Sequence, residues 1–256
     1  MTNATASTAG GGRGRRIAVA LAWSGLGLAL VCGIGELLAG LGYRWSWWHF
    51  RSGIQIVRWS ATADLAALAM TLAAAALAWR QGARHALAAS VAGLALSLAV
   101  AGPPLYLLRQ VDRVPRIHDI STDTDRPPRY IAVLALRAAA ENPVEYSAEV
   151  AAQQKKAYPD IVPAMLDTPP PQAFARAERA AHAMGWDIVA VVPGELRIEA
   201  TDTTLLFGFK DDIVIRIAPA GQGSRVDVRS LSRVGKSDLG VNAKRIRKYL
   251  RQLAAG

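Results

Sequence analysis

A chain of 256 residues, 52% hydrophobic and 20% charged, has the length for one or two domains and enough apolar surface for a core, which excludes a wholly disordered polypeptide. Its one cysteine excludes a disulfide scaffold and any multi-cysteine metal site. The net charge of +10 is uneven: residues 1–110 hold nine arginines and two acids, a net of +7, while residues 111–256 hold 21 basic and 18 acidic side chains. So even a balance in the second part excludes a nucleic-acid-binding module, and the excess in the first part surrounds apolar segments.

Residues 1–16 are rich in Ala, Thr and Gly with three arginines and read as a disordered cytoplasmic tail. Residues 17–110 follow as a membrane domain. It contains three apolar runs: Ile17 to Gly42, interrupted by Glu36; Ala61 to Trp79, with Asp64 near its start; and Ala86 to Leu108, with Pro103 and Pro104 near its end. Each has about the 20 residues that cross a bilayer, and none has the polar face of a soluble helix. The first is too long for a cleaved signal peptide, whose apolar region takes roughly 7–15 residues. Small residues four apart, Ala29/Gly33 and Gly35/Ala39, would admit a close neighbouring helix.

The segment Tyr43–Ser60 reads as a loop whose tryptophans and tyrosine sit among lipid headgroups. Glu36 and Asp64 could serve as a proton or ion relay. The simpler reading is that they form interfacial ion pairs with Arg44, Arg51 and Arg58. Arginines flanking the spans divide five to six between the two sides. Those of the tail and of the tight Arg80–His85 connection lie close to span ends without acids and favour a cytoplasmic N-terminus. Three spans then put the C-terminal domain outside the cytoplasm.

Residues 111–168 form a connector rich in Pro and Asp with short elements, among them a helix around Glu145–Ala157. Residues 169–256 carry the regular pattern. A helix over Gln172–Met184 precedes strands at Trp186–Val192, Leu196–Thr201, Thr204–Phe209, Ile213–Ala218 and Arg225–Ser230, joined by short polar turns that include Lys210-Asp211-Asp212. The last helix, Asp238–Leu253, turns Val241/Asn242, Ile246, Tyr249/Leu250 and Leu253 inward, and Lys244, Arg245, Arg247, Lys248 and Arg251 outward. The fold class is α+β: three transmembrane helices, then an antiparallel sheet of four or five strands, half buried and covered by two helices.

Gly235-Lys236-Ser237 ends like a phosphate-binding loop, but the glycine needed five residues before Gly235 is Ser230, so nucleotide hydrolysis is rejected. Amides at the helix start with Arg233 and Lys236 could still hold an anion. His118 with Asp119, Asp123 and Asp125 offers groups for a hard cation or for acid–base work, yet calcium-loop spacing is absent and Pro127-Pro128 stiffens the segment. The candidate polar or anion site is therefore His118, Asp119, Asp123, Asp125, Arg229, Arg233, Lys236, Ser237 and Asp238. Neither a catalytic residue nor a metal nor a cofactor is expected.

Four stretches, Ile117–Asp125 with Pro127-Pro128, Ala157–Asp160, Gly208–Ile213 and Val226–Asn242, resemble the bacterial family known as domain of unknown function 1499, over residues 113–253. The resemblance implies a bacterial envelope protein and brings no activity with it; together with the three spans and their arginines, the expected place is the bacterial inner membrane with a periplasmic C-terminal domain. The expected function is a non-enzymatic module, with the lipid bilayer and an envelope ligand or protein as partners and no nucleic acid. The alternative is an enzyme acting on an anionic envelope substrate through Asp119, Asp123, Arg229, Arg233 and Lys236, which would have to converge.

Overall fold

Each apolar run lies in a helix: α1 (Ala6–Arg44), α2 (Phe50–Arg80) and α3 (Arg84–Val111), in a computed structural model that describes residues 6–255. All three are long and apolar enough to cross a membrane. Of the tail expected to be disordered, residues 1–5 lie outside the described residues and residues 6–16 are helical. The Trp-rich loop is also shorter than expected. Its tight part is residues 45–49, where the His49 ring accepts the Arg51 N–H and starts α2 eleven residues before Ala61. Asp64 is consequently in the middle of α2 rather than near its start.

Small side chains face into this unit and large ones face out. Ala18, Ala22, Ala74, Ala78, Ala83, Ala86 and Ala89 form a buried seam, while Trp23, Leu30, Val31, Leu65, Leu72 and Leu98 are exposed. That inverted polarity suits a hydrocarbon surround, where close backbone approach replaces the hydrophobic effect. Gly25 and Gly93 make the point: a Cβ on either would come within 2.8 Å and 2.5 Å of the Thr71 methyl. The pairs Ala29/Gly33 and Gly35/Ala39 also serve close packing, with Val100 against Gly33 and Ser60 against Gly35.

The remainder of the chain runs β1 (Asp119–Ser121), a 3-10 turn over Ala132–Leu136, α4 (Ala148–Ala157), β2 (Ala164–Leu166), α5 (Pro170–Ala183), β3 (Asp187–Val192), β4 (Arg197–Thr203), β5 (Lys210–Ala220), β6 (Gly223–Ser232) and α6 (Val241–Ala255). The sheet order is β1-β6-β5-β4-β3, with β2 also on β6, and every pairing is antiparallel. β1 pairs residues 229–231 and β2 pairs residues 224–226, so two three-residue strands share one edge. Such short strands carry no readable alternation, and they exist because the β6 edge needs partners.

Where a strand was expected at Thr204–Phe209 there is a turn. The Thr204 N–H reaches the Phe209 carbonyl at 2.9 Å, and Gly208 takes a left-handed φ of 68°, which ends extension. Lys210-Asp211-Asp212, expected as that turn, instead begins β5.

One face of the sheet is apolar. Ile198, Ala200, Ile213, Ile215, Ile217, Val226 and Val228 meet Phe174, Ala177, Ala181, Ile246 and Leu253 of α5 and α6, and Trp186 stacks on Tyr249 at 5.3 Å. Each Ile so buried contributes about 1.5–3 kcal/mol. Arg176 of α5 donates to the carbonyls of Leu253 and Ala254, satisfying the open end of α6.

Candidate functional site

The other face was expected to be wet, and it is not. Across β4, β5 and β6 the register aligns Thr201, Asp212 and Leu231, then Glu199, Val214 and Arg229, then Arg197, Arg216 and Asp227. Glu199, Asp212, Asp227 and Arg229 are all at most 3% exposed. They are covered by the segment 122–146, including Tyr130 and Val133, which pack on Val214 and Leu231. Burial of so many charges is tolerable only if each is paired.

Pairing is thorough. Arg229 holds Asp119 with two nitrogens at 2.7 and 3.0 Å, donates to the carbonyls of Pro128 and Val144, and lies over the rings of Tyr130 and Tyr146. Asp212 accepts from Arg137 at 2.5 Å, from Arg233 at 2.7 Å and from the Thr201 hydroxyl at 2.8 Å. Asp227 binds Arg216 and Arg225, and both of these also reach Asp123. Glu199 pairs with Arg197 and accepts the backbone N–H groups of Ile131, Ala132 and Val133, which start the 3-10 turn.

Titration follows from this environment. Burial works against the Arg229 charge, but the Asp119 carboxylate outweighs it and holds the guanidinium above its ordinary value. Burial would raise Asp123, yet the N–H of Arg126, the guanidinium of Arg225 and further donors together hold it below the ordinary carboxylate value. Tyr130 is pushed far above the usual phenol value by burial.

Between the cover and the sheet lies a cleft of about 780 Å³ lined by Arg126 to Ile131, Val144 to Tyr146, Glu195, Arg197, Val214, Arg216, Arg229 and Asp125. Its floor is polar and rigid; Pro127, Pro128, Ile131, Val144 and the two tyrosine rings give it apolar walls. Arg126 and Arg129 stand exposed at the cleft, and neither guanidinium has an acidic partner among the described residues.

The nine candidate residues are distributed over several places. Asp119, Asp123 and Arg229 belong to the sheet network, and Asp125 is at the cleft, bound to Lys155 at 2.7 Å. Arg233 is taken up by Asp212. His118 is at the β1–β6 end, its carbonyl accepting the Ser232 N–H and the Asn242 amide. Ser237 and Asp238 cap α6: the Asp238 carboxylate accepts from Gly240 N and Asn242 N at 2.8 Å each, so it occupies the place an outside anion would take. Lys236 is exposed in the same loop. Among the described residues, no group of three His, Cys, Asp or Glu is arranged to hold a metal ion.

Arg137, Glu199, Asp212, Arg216 and Asp227 were missed: Glu199, Arg216 and Asp227 because strict alternation in a strand reads as one solvated face, Asp212 because it reads as part of a polar turn, and Arg137 because the connector shows no period. The available signal was that opposite charges, rather than one sign, occupy those alternating positions. Arg245, expected outward, is also inward. It binds Asp202 at 2.8 Å and Asp211 at 2.6 Å and touches Ser230 and Asn242. Arg247 likewise pairs with Asp160.

Two of these bonds join three of the four motifs, Asp119 to Arg229 and Asp212 to Arg233, while Asp160 and Asp211 are tied to Arg247 and Arg245 of α6. No curated protein matches the chain. Residues 119–253, more than half of the sequence, match the profile of a family described as "Protein of unknown function (DUF1499)". With that profile running from β1 into the last turns of α6, the chain belongs to the DUF1499 family.

Proposed function

We propose that this is a multi-pass protein of the bacterial inner membrane, with residues 17–110 in the bilayer, a cytoplasmic N-terminus and a periplasmic α+β domain. That domain binds a molecule with an anionic group and an apolar part in the cleft over the polar face of the sheet. The cleft itself is the observation that carries this reading. Its floor charges are neutralised by their own partners, so they supply shape and rigidity rather than a net field. Arg126 and Arg129 supply the attraction, and the Pro, Ile, Val and Tyr walls supply apolar contact. Of the lining acids, Asp125 is taken by Lys155 and Glu195 by Arg197, which leaves Glu145 as the opposing charge. Of the nine candidate residues, Asp119, Asp123, Asp125 and Arg229 serve this site by positioning its floor and rim. His118, Arg233, Lys236, Ser237 and Asp238 stabilise the end of the sheet and the start of α6.

The test uses the full-length protein purified in mild detergent, with its bound small molecules extracted and identified by mass spectrometry. An anionic amphiphile should accompany the wild type and fall several-fold in an Arg126→Ser, Arg129→Ser variant. Both arginines are exposed, so the fold should survive. Equal content in the two proteins, or none in either, would overturn the proposal.

A further inference from the structure

The helical unit carries a polar site that is independent of the cleft. Asp64 of α2 and Ser97 of α3 have no exposed surface. Both Asp64 oxygens, the Ser97 hydroxyl and one oxygen of Glu36 in α1 are buried without a hydrogen-bond partner among the described residues. The other buried hydroxyls of the bundle behave differently: Thr71 donates to the Ala67 carbonyl at 3.0 Å and Ser90 to the Ala86 carbonyl at 2.7 Å. The Ser97 hydroxyl instead neighbours Asp64 without completing a bond.

Asp64 interacts with groups on both neighbouring helices, Glu36 and Cys32 of α1 and Ser97 of α3, and none of these is basic. The ion pairs expected with Arg44, Arg51 and Arg58 are not formed: neither Glu36 nor Asp64 is in an ion pair among the described residues. Asp64 lies six residues beyond Arg58, about 9 Å further along the helix. An unpaired carboxylate in that setting would cost many kcal/mol, so it must carry a proton or a bound cation. Two carboxylates and one hydroxyl are few ligands for a metal such as calcium, which takes about 6–8 oxygens, and the neighbouring carbonyls are spent on the helices. A proton needs one oxygen only.

We propose that Asp64, with Glu36 and Ser97 beside it, is a proton-binding site within the membrane-spanning bundle. Ser97 and the second carboxyl receive or supply the hydrogen bond that the protonated acid makes.

The experiment uses membrane vesicles containing the full-length wild-type chain, treated with dicyclohexylcarbodiimide, an apolar reagent that adds to protonated carboxyl groups. Peptide fragmentation by mass spectrometry then identifies the modified residue. The expected result is an adduct on Asp64 that is lost as the medium is raised from about pH 6 to about pH 9 and is indifferent to excess sodium chloride. Vesicles that retain the protein after alkaline washing but show no Asp64 adduct at any pH overturn the site. An adduct on Glu36 alone overturns it too, as does one that sodium suppresses and choline does not, which would indicate a metal cation. Loss of the chain from washed vesicles would instead count against the membrane-spanning reading. No variant is needed, so misfolding cannot imitate any of these results.

Discussion

Arg229 concentrates the energetics of the polar face in one side chain. It is 3% exposed, spends its donors on Asp119 and two carbonyls, and lies over the rings of two tyrosines. Removing such a partner leaves the other charge buried and alone, which costs about 3–5 kcal/mol, whereas removing both charges with apolar replacements of similar volume is far milder. Arg229→Met should therefore lower the thermal unfolding temperature of the full-length protein in detergent strongly. Adding Asp119→Leu to it should restore much of the loss. A double variant no more stable than Arg229→Met would show that the pair contributes nothing beyond its packing. The alternation Arg225, Asp227, Arg229 was plain in the sequence, and its direction off the strand was legible. Its burial was not, because the cover is supplied by residues about a hundred positions earlier.

At the scale of elements, the segment 122–146 turns a one-sided sheet into a two-sided one. It has little regular structure, so its order depends on a few anchors, of which Glu199 is the most concentrated. The Glu199 carboxylate accepts three consecutive N–H groups at 2.9–3.1 Å and so fixes the start of the 3-10 turn. Hydrogen bonds to a charged group are worth about 1.5–3 kcal/mol each in net terms. Glu199→Gln keeps the shape but removes the charge and turns one accepting oxygen into a donor, and amide exchange at Ile131 to Val133 should quicken by about tenfold for every 1.4 kcal/mol lost. Unchanged exchange there, with exchange in β5 also unchanged, would mean the cover is held by Tyr130 and Val133 alone. The helices α5 and α6 were readable because Phe174, Ala177, Ala181 and Ile246, Tyr249, Leu253 recur at helical spacing. The strands β1 and β2 were not readable, since three residues cannot display a period of two.

For the whole molecule, the proposed topology makes one firm demand: three spans would put the residues before α1 and those after α3 on opposite sides of the bilayer. The arginines near the span ends favour an N-terminus in the cytoplasm. Alkaline phosphatase fused after Gly256, active only outside the cytoplasm, should be active in cells, and a fluorescent protein that folds only inside should be dark at the same position. The reverse pair of results would invert the topology and place the cleft in the cytoplasm.

Sequence alone determined the membrane-spanning class, the apolar face of the sheet, its two covering helices and the family. All of these rest on local periodicity and on runs of similar residues, which a linear chain displays directly. Only the tertiary structure decided that the second face is buried, that Arg245 turns inward, that Asp119 and Asp212 pair with arginines of β6 and its following loop, and that Asp64 has no ion-pair partner among the described residues. Those outcomes depend on partners tens to more than a hundred residues away. Whether a charge is solvated, paired or left alone is fixed by what folds over it, and a position in the sequence does not carry that information.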